Sequence, residues 1–197
     1  SLTSKPKVQV QDIVAIPEYD DTYTQAELNI TATLRNLDKK KVKNYSLSFS
    51  LYEFGLYSDE NTLVENVAAN VPVEQLLPGE IKNVSVLLDA GTKVKPWNAE
   101  KPYRYALVGE LKDKMGRVIE TFSTTVGFRE IEIKDTPAEK DEFGLAGRYY
   151  YLNGKPIKMK GVNRHENSPE RGHAITREQM EYEVMMMKRA NINHVRN

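Results

Sequence analysis

The densest set of reactive side chains in the sequence is the run Asn163-Arg164-His165-Glu166, with Arg196 standing further along. Together these groups offer hydrogen-bond donors, acceptors and both signs of charge, the set with which a loop at the end of a strand acts on a substrate. A second reading of the same run makes Arg164 and Glu166 a loop ion pair and His165 a cap on a backbone group. The remaining histidines, His173 and His194, have neither a carboxylate nor a second histidine at metal-ligand spacing and read as structural or solvent-facing. The chain has no cysteine, which removes disulfide scaffolds, zinc ribbons and thiol nucleophiles together.

The elements that position this run are those of an α/β unit. Lys158 to Val162 reads as a strand, and a polar loop from Asn163 to Ala174 follows it. Thr176 and Gln179 have the spacing of a capping box, so a helix starts there. Met180, Val184 and Met187 form its buried stripe and Asn191 terminates it. A second strand covers Asn193 to Arg196. Parallel strands live in sheets covered on both faces, which one such unit cannot achieve alone. The sequence stops at Asn197, so the unit is expected to be the start of a larger (β/α)8 barrel, with His165 and Arg196 facing one mouth.

From Lys7 to Ile133 the dominant period is two instead. Leu28, Ile30, Ala32 and Leu34 alternate with polar residues, as do Leu47, Phe49 and Leu51. Val8 to Ile16, a weaker run near Val71 and Val73, Val84 to Leu88, Tyr103 to Leu111, and Val118 to Phe128 complete seven strands. Polar turns such as Asn36-Leu37-Asp38 and Pro78-Gly79-Glu80 separate them. This pattern predicts a mainly β fold: an immunoglobulin-like β-sandwich over residues 1–133 that lacks the cysteine pair of antibody domains. Residues 134–148, with Asp135, Glu139, Lys140, Asp141 and Glu142, show neither period and read as a linker. Residues 149–197 then hold a hairpin turning at Asn153-Gly154 and the incomplete barrel start. Trp97, the only tryptophan, reads as an aromatic plug over one end of the sandwich rather than a sugar platform.

The 28 basic residues balance the 28 acidic ones. That neutrality argues against nucleic-acid binding and a polybasic membrane anchor. No apolar run reaches the roughly 18 residues of a membrane span. With 40% hydrophobic residues, the chain has enough apolar side chains for a packed core.

Leu152-Asn153-Gly154-Lys155-Pro156, Gly161-Val162-Asn163-Arg164-His165-Glu166, Met187-Lys188 and Asn193-His194-Val195-Arg196 together resemble the start of the catalytic barrel in glycoside hydrolase family 2, and its β-galactosidase branch most. Gly127-Phe128-Arg129-Glu130 and the stretch from Trp97 to Tyr105 resemble the end of that family's immunoglobulin-like domain. Asn167-Ser168-Pro169 and His194 depart from the family pattern. The resemblance implies a retaining β-galactosidase acting on terminal β-galactosides, whose two carboxylates stand about 5 Å apart. Both glutamates are expected beyond Asn197, so no catalytic residue is expected within the chain. By position, His165 would donate to a hydroxyl of the sugar and Arg196 would sit beside the nucleophilic carboxylate, keeping it ionised. Asn163 and Glu166 would support them. The chain itself implies no cofactor, and the resemblance leaves room for a divalent cation in the full-length enzyme. A β-glucuronidase, a β-mannosidase and a carbohydrate-binding sandwich are the alternatives. Apolar surface around Val162, Met187 and Val195 is expected to drive homo-oligomerisation through the barrel end.

Overall fold

Alternation becomes strand wherever one face can be buried. The computed structural model describes residues 4–54, 61–141 and 144–197. Glu142 of the expected linker lies outside these residues. The chain divides into two compact units: Ser1–Ile131 with Leu152–Gly154, and Glu132–Tyr151 with Lys155–Asn197.

The first unit holds β1 (Val8–Tyr19), β2 (Ala26–Asn36), β3 (Val42–Phe54), β4 (Asn61–Leu76), β5 (Ile81–Gly91), β6 (Arg104–Lys112) and β7 (Val118–Val126). They form a three-stranded sheet in the order β1-β2-β5 and a four-stranded sheet in the order β4-β3-β6-β7, with antiparallel pairing throughout. All seven strands follow the sequence pattern in order. Leu28, Ile30 and Leu34 of β2 meet Leu47, Phe49 and Leu51 of β3 and Tyr105, Leu107 and Leu111 of β6 in one core. Because side chains alternate across a strand, these positions share the inward face.

Two details differ from the expected strands. β4 is much longer than the run near Val71 and Val73, and its pairing with β3 shifts register between Ser50 and Tyr52. Asn66 there adopts φ 58°, a left-handed conformation that asparagine tolerates and that breaks strict alternation. The last strand ends at Val126, so Phe128 lies past it, yet its ring is fully buried against Tyr105 at 5.5 Å between centroids.

The edges of the sandwich are closed by side chains. β1 carries a register shift between Val10 and Asp12. There the Val10 amide donates to the Glu120 carboxylate of β7 at 2.7 Å, and Lys5 pairs with the same carboxylate at 3.5 Å. The buried Asn36 amide group donates to the carbonyls of Lys40 and Leu77 and accepts from the Asp38 amide, so the corner after β2 has its polar groups satisfied.

Trp97 is held within this unit. Its amide donates to the Phe128 carbonyl at 2.8 Å, Gly127 lies against the ring, and the Arg129 guanidinium sits 4.4 Å from the ring centroid. The turn Asn153-Gly154 belongs here too. Asn153 exchanges hydrogen bonds with Glu130 through its amide at 2.9 Å and its side-chain oxygen at 2.8 Å, and its side-chain nitrogen donates to the Trp97 carbonyl. Both turn residues have positive φ, as a tight hairpin of this type requires.

The second unit is made chiefly of β8 (Ile131–Thr136), β9 (Gly147–Leu152), β10 (Lys155–Ile157), β11 (Gly161–Asn163), α1 (Arg177–Arg189) and β12 (His194–Arg196), with a 3₁₀ turn at Ala138–Lys140 among its described residues. β8, β9 and β10 form one sheet, β9 in the middle. β8 therefore occupies part of the stretch expected to be linker. Thr136 bonds the Tyr151 hydroxyl at 2.7 Å and Asp135 pairs with Arg148 at 2.9 Å, which together fix its pairing with β9. β11 runs Gly161–Asn163, shifted toward the C-terminus from the expected Lys158 to Val162. The reason is Asn193: its side chain bonds the Lys158 carbonyl and the Lys160 amide, so those backbone groups are taken before the ladder begins.

Candidate functional site

The site is built on two short parallel strands. β11 and β12 pair as Gly161 with His194, Val162 with Val195, and Asn163 with Arg196. The Arg164 amide continues the ladder by donating to the Arg196 carbonyl at 2.8 Å. Gly161 lies close beside His194, where an added Cβ would stand 3.1 Å from the imidazole and ask it to shift by a few tenths of an ångström. His194 is exposed on β12.

α1 is set by local signals that the sequence displays. Thr176 caps it, accepting from the Gln179 amide at 3.3 Å. The Gln179 side chain reaches the Glu183 carboxylate rather than the cap, so only half of the capping box forms. Asn191 follows the helix with φ 57°. Met180 and Met187 are half-buried, but Val184 is 55% exposed. The stripe expected to be buried is corrected accordingly: Glu183, one position earlier, takes the inward place because it pairs with Arg164.

That pair anchors the loop after β11. The Arg164 Nε donates to the Glu183 carboxylate at 2.7 Å, and the Arg164 side chain is only 15% exposed. Its Nη2 is buried without an acceptor among the described residues. The Glu166 carboxylate stands 4.0 Å from Nη1 of the same guanidinium, outside hydrogen-bond range. The dominant partner of Arg164 is therefore the helix, not its loop neighbour. Further along, Ser168 and Gly172 exchange two backbone hydrogen bonds, at 2.7 and 2.9 Å. His173 Nδ1 lies 2.8 Å from the Glu166 carbonyl. A carbonyl only accepts, so Nδ1 carries the proton.

Of the residues singled out from the sequence, Asn163 and Arg196 end neighbouring strands in register, and His165 and Glu166 follow in the loop. All four are exposed. Among the described residues no hydrogen bond or ion pair engages the side chains of Asn163, His165 or Arg196. His165 caps no backbone group; His173 performs that task. Glu183, His173 and Asn193 act on atoms remote in sequence, so their spacing does not announce which groups they bind. No group of three His, Asp or Glu side chains among the described residues can hold a metal ion.

Residues 8–129 match Glycosyl hydrolases family 2, and residues 144–197 match its TIM barrel domain. The chain belongs to glycosyl hydrolase family 2. The β-galactosidase of Priestia megaterium (strain DSM 319 / IMG 1521) is 34% identical over 196 residues, 99% of this chain and 17% of that protein. The β-galactosidase of Streptococcus thermophilus is 35% identical over 192 residues, 97% of this chain and 16% of that protein. This family 2 chain thus spans about one-sixth of the length of the curated relatives it matches. Among solved structures, a family 2 β-galacturonidase from Eisenbergiella tayi superposes with a TM-score of 0.73 at 21% identity, over 98% of this chain and 29% of that one. A β-glucuronidase of Bacteroides uniformis gives 0.66 at 23%, over 94% and 20%. These two likenesses establish a shared fold. The family 2 assignment accounts for a β-sandwich followed by the first strand, helix and second strand of a TIM barrel.

Proposed function

We propose that the chain works as part of a retaining β-galactosidase, supplying its immunoglobulin-like domain and the first wall of its catalytic barrel. The observation that carries this is the parallel pairing of Asn163 with Arg196, which brings the strand ends of the barrel segment to one level with exposed, unengaged polar side chains. Likeness to β-galactosidases along nearly the whole chain supports the same reading. In such an enzyme the carboxyl ends of the strands form the mouth that receives substrate. His165 then donates to a hydroxyl of the galactosyl ring. Arg196 lies beside the carboxylate nucleophile, where a fixed positive charge keeps that group ionised and oriented. A second carboxylic acid protonates the leaving oxygen, and both carboxyl groups come from chain outside these residues.

The bound Trp97 weighs against a sandwich that works alone by stacking sugars, because Arg129 and Gly127 already occupy its ring. The test has two arms. The 197-residue chain, freed of host enzyme, is expected to show no turnover of an aryl β-galactoside. The longer protein containing it is expected to release galactose as the β-anomer first, seen by proton NMR. Turnover by the chain alone, or hydrolysis of glucuronides and not galactosides by the longer protein, would overturn the reading.

A further inference from the structure

We infer that His173 and the Arg164–Glu183 pair are positioning residues that hold the backbone at His165 from both sides. The inference rests on the β-galactosidase reading above, in which His165 meets the sugar. A loop of this kind is ordinarily the mobile part of a fold. Here it is tied at each neighbour of His165. On one side, Arg164 is fixed twice: its amide to the Arg196 carbonyl at 2.8 Å and its guanidinium to Glu183 of α1 at 2.7 Å. On the other side, the Glu166 carbonyl accepts from His173 Nδ1 at 2.8 Å. The two-way bridge between Ser168 and Gly172 folds the chain back so that His173 reaches that carbonyl.

His165 is the exposed residue between the two ties, its ring free and its backbone held. The His173 tie has little to do with the core. His173 is exposed, and one exposed hydrogen bond adds little to global stability. Their effect is geometric: with the peptides on both sides fixed, the ring starts from one backbone position. Misplacing a group by 1 Å can cost up to about a hundredfold in rate, so such ties matter to turnover more than to folding.

The test begins with nitrogen-15 relaxation on the 197-residue chain. The backbone amides of residues 165–167 are expected at order parameters of about 0.85, falling below about 0.6 in H173A, with the melting temperature unchanged. H173N, whose side-chain nitrogen takes the place of Nδ1, is expected to restore order, and E183Q to loosen residue 164 more than residue 166. In the longer enzyme, H173A is expected to lower kcat/KM for an aryl β-galactoside roughly tenfold and H173N to recover most of it. Equal order parameters in wild type and H173A, or an H173N as impaired as H173A, would overturn the inference. A longer wild-type protein without galactosidase activity overturns the functional reading instead, and the relaxation result then still decides whether the ties hold the loop.

Discussion

Asn163 and Arg196 are register partners on adjacent parallel strands, and the backbone bond just beyond them, from the Arg164 amide to the Arg196 carbonyl, keeps them level. Among the described residues neither side chain is engaged, so substitution of either leaves the strand pair intact. Arg196→Lys keeps a positive charge but loses the planar fork that pairs with a carboxylate at two points. In the longer enzyme this change is expected to lower kcat/KM by about ten- to a hundredfold, the size of one charge-assisted hydrogen bond. Steady-state kinetics with an aryl β-galactoside checks it, alongside an unchanged melting temperature for the 197-residue chain.

The Asn153-Gly154 turn is predicted to be intolerant of change. A Cβ on Gly154 would run into the Tyr23 ring, and the residue has φ 72°. Gly154→Ala is expected to destabilise the first unit by about 2 kcal/mol or more. Asn153→Ala strands the Glu130 amide and the Trp97 carbonyl, with a cost of about 1–3 kcal/mol. Urea unfolding of the chain measures both.

Stability is predicted to fall at both ends of the pH scale for separate reasons. The Thr22 hydroxyl and the Gln25 and Thr24 amides hold the Asp20 carboxyl at about 2, below its ordinary 3.8. A depressed folded value stabilises above the unfolded one, and that contribution disappears as pH falls from about 4 to about 2. Burial raises the Tyr19 phenol from 10.0 to about 12. A raised folded value means the neutral form is favoured, so this contribution is complete below pH 10 and disappears as pH rises toward 12. Urea midpoints across pH are expected to show a shallower acid limb in Asp20→Asn and a shallower alkaline limb in Tyr19→Phe.

The strands of the sandwich were legible because Leu28 to Leu34 and Leu47 to Leu51 bury one face fully, and full burial enforces strict alternation. β8 hid from the same test. In it the apolar residues Ile131 and Ile133 are the exposed ones, while Glu132 and Lys134 are half-buried, so its alternation has the opposite phase. The helix start at Thr176 was legible because capping is local chemistry. The inward place of Glu183 was not, because it depends on Arg164, which no helical spacing points to. For the same reason the sequence showed which side chains end the strands but not that His173 and Asn193 tie the backbone around them.

Surface apolarity on the second unit predicts self-association. Tyr182, Val184, Met185 and Met186 are each at least half exposed on α1, and Val195 is 40% exposed on β12. Apolar patches of this kind mark contact surfaces. Sedimentation of the chain is expected to show concentration-dependent association, abolished by Met185→Glu with Met186→Glu. A monomer at all concentrations counts against it.

The Glu120 carboxylate that receives the Val10 amide has a bearing on such assembly. A sheet's outermost strand ordinarily presents free backbone donors that can recruit a foreign strand, the route by which β proteins polymerise. On β1 the register shift at Val10 would present such a donor, and Glu120, with Lys5 beside it, occupies it from within the same molecule. That side of the sandwich thus carries its own guard against templated growth, held by the Glu120 side chain.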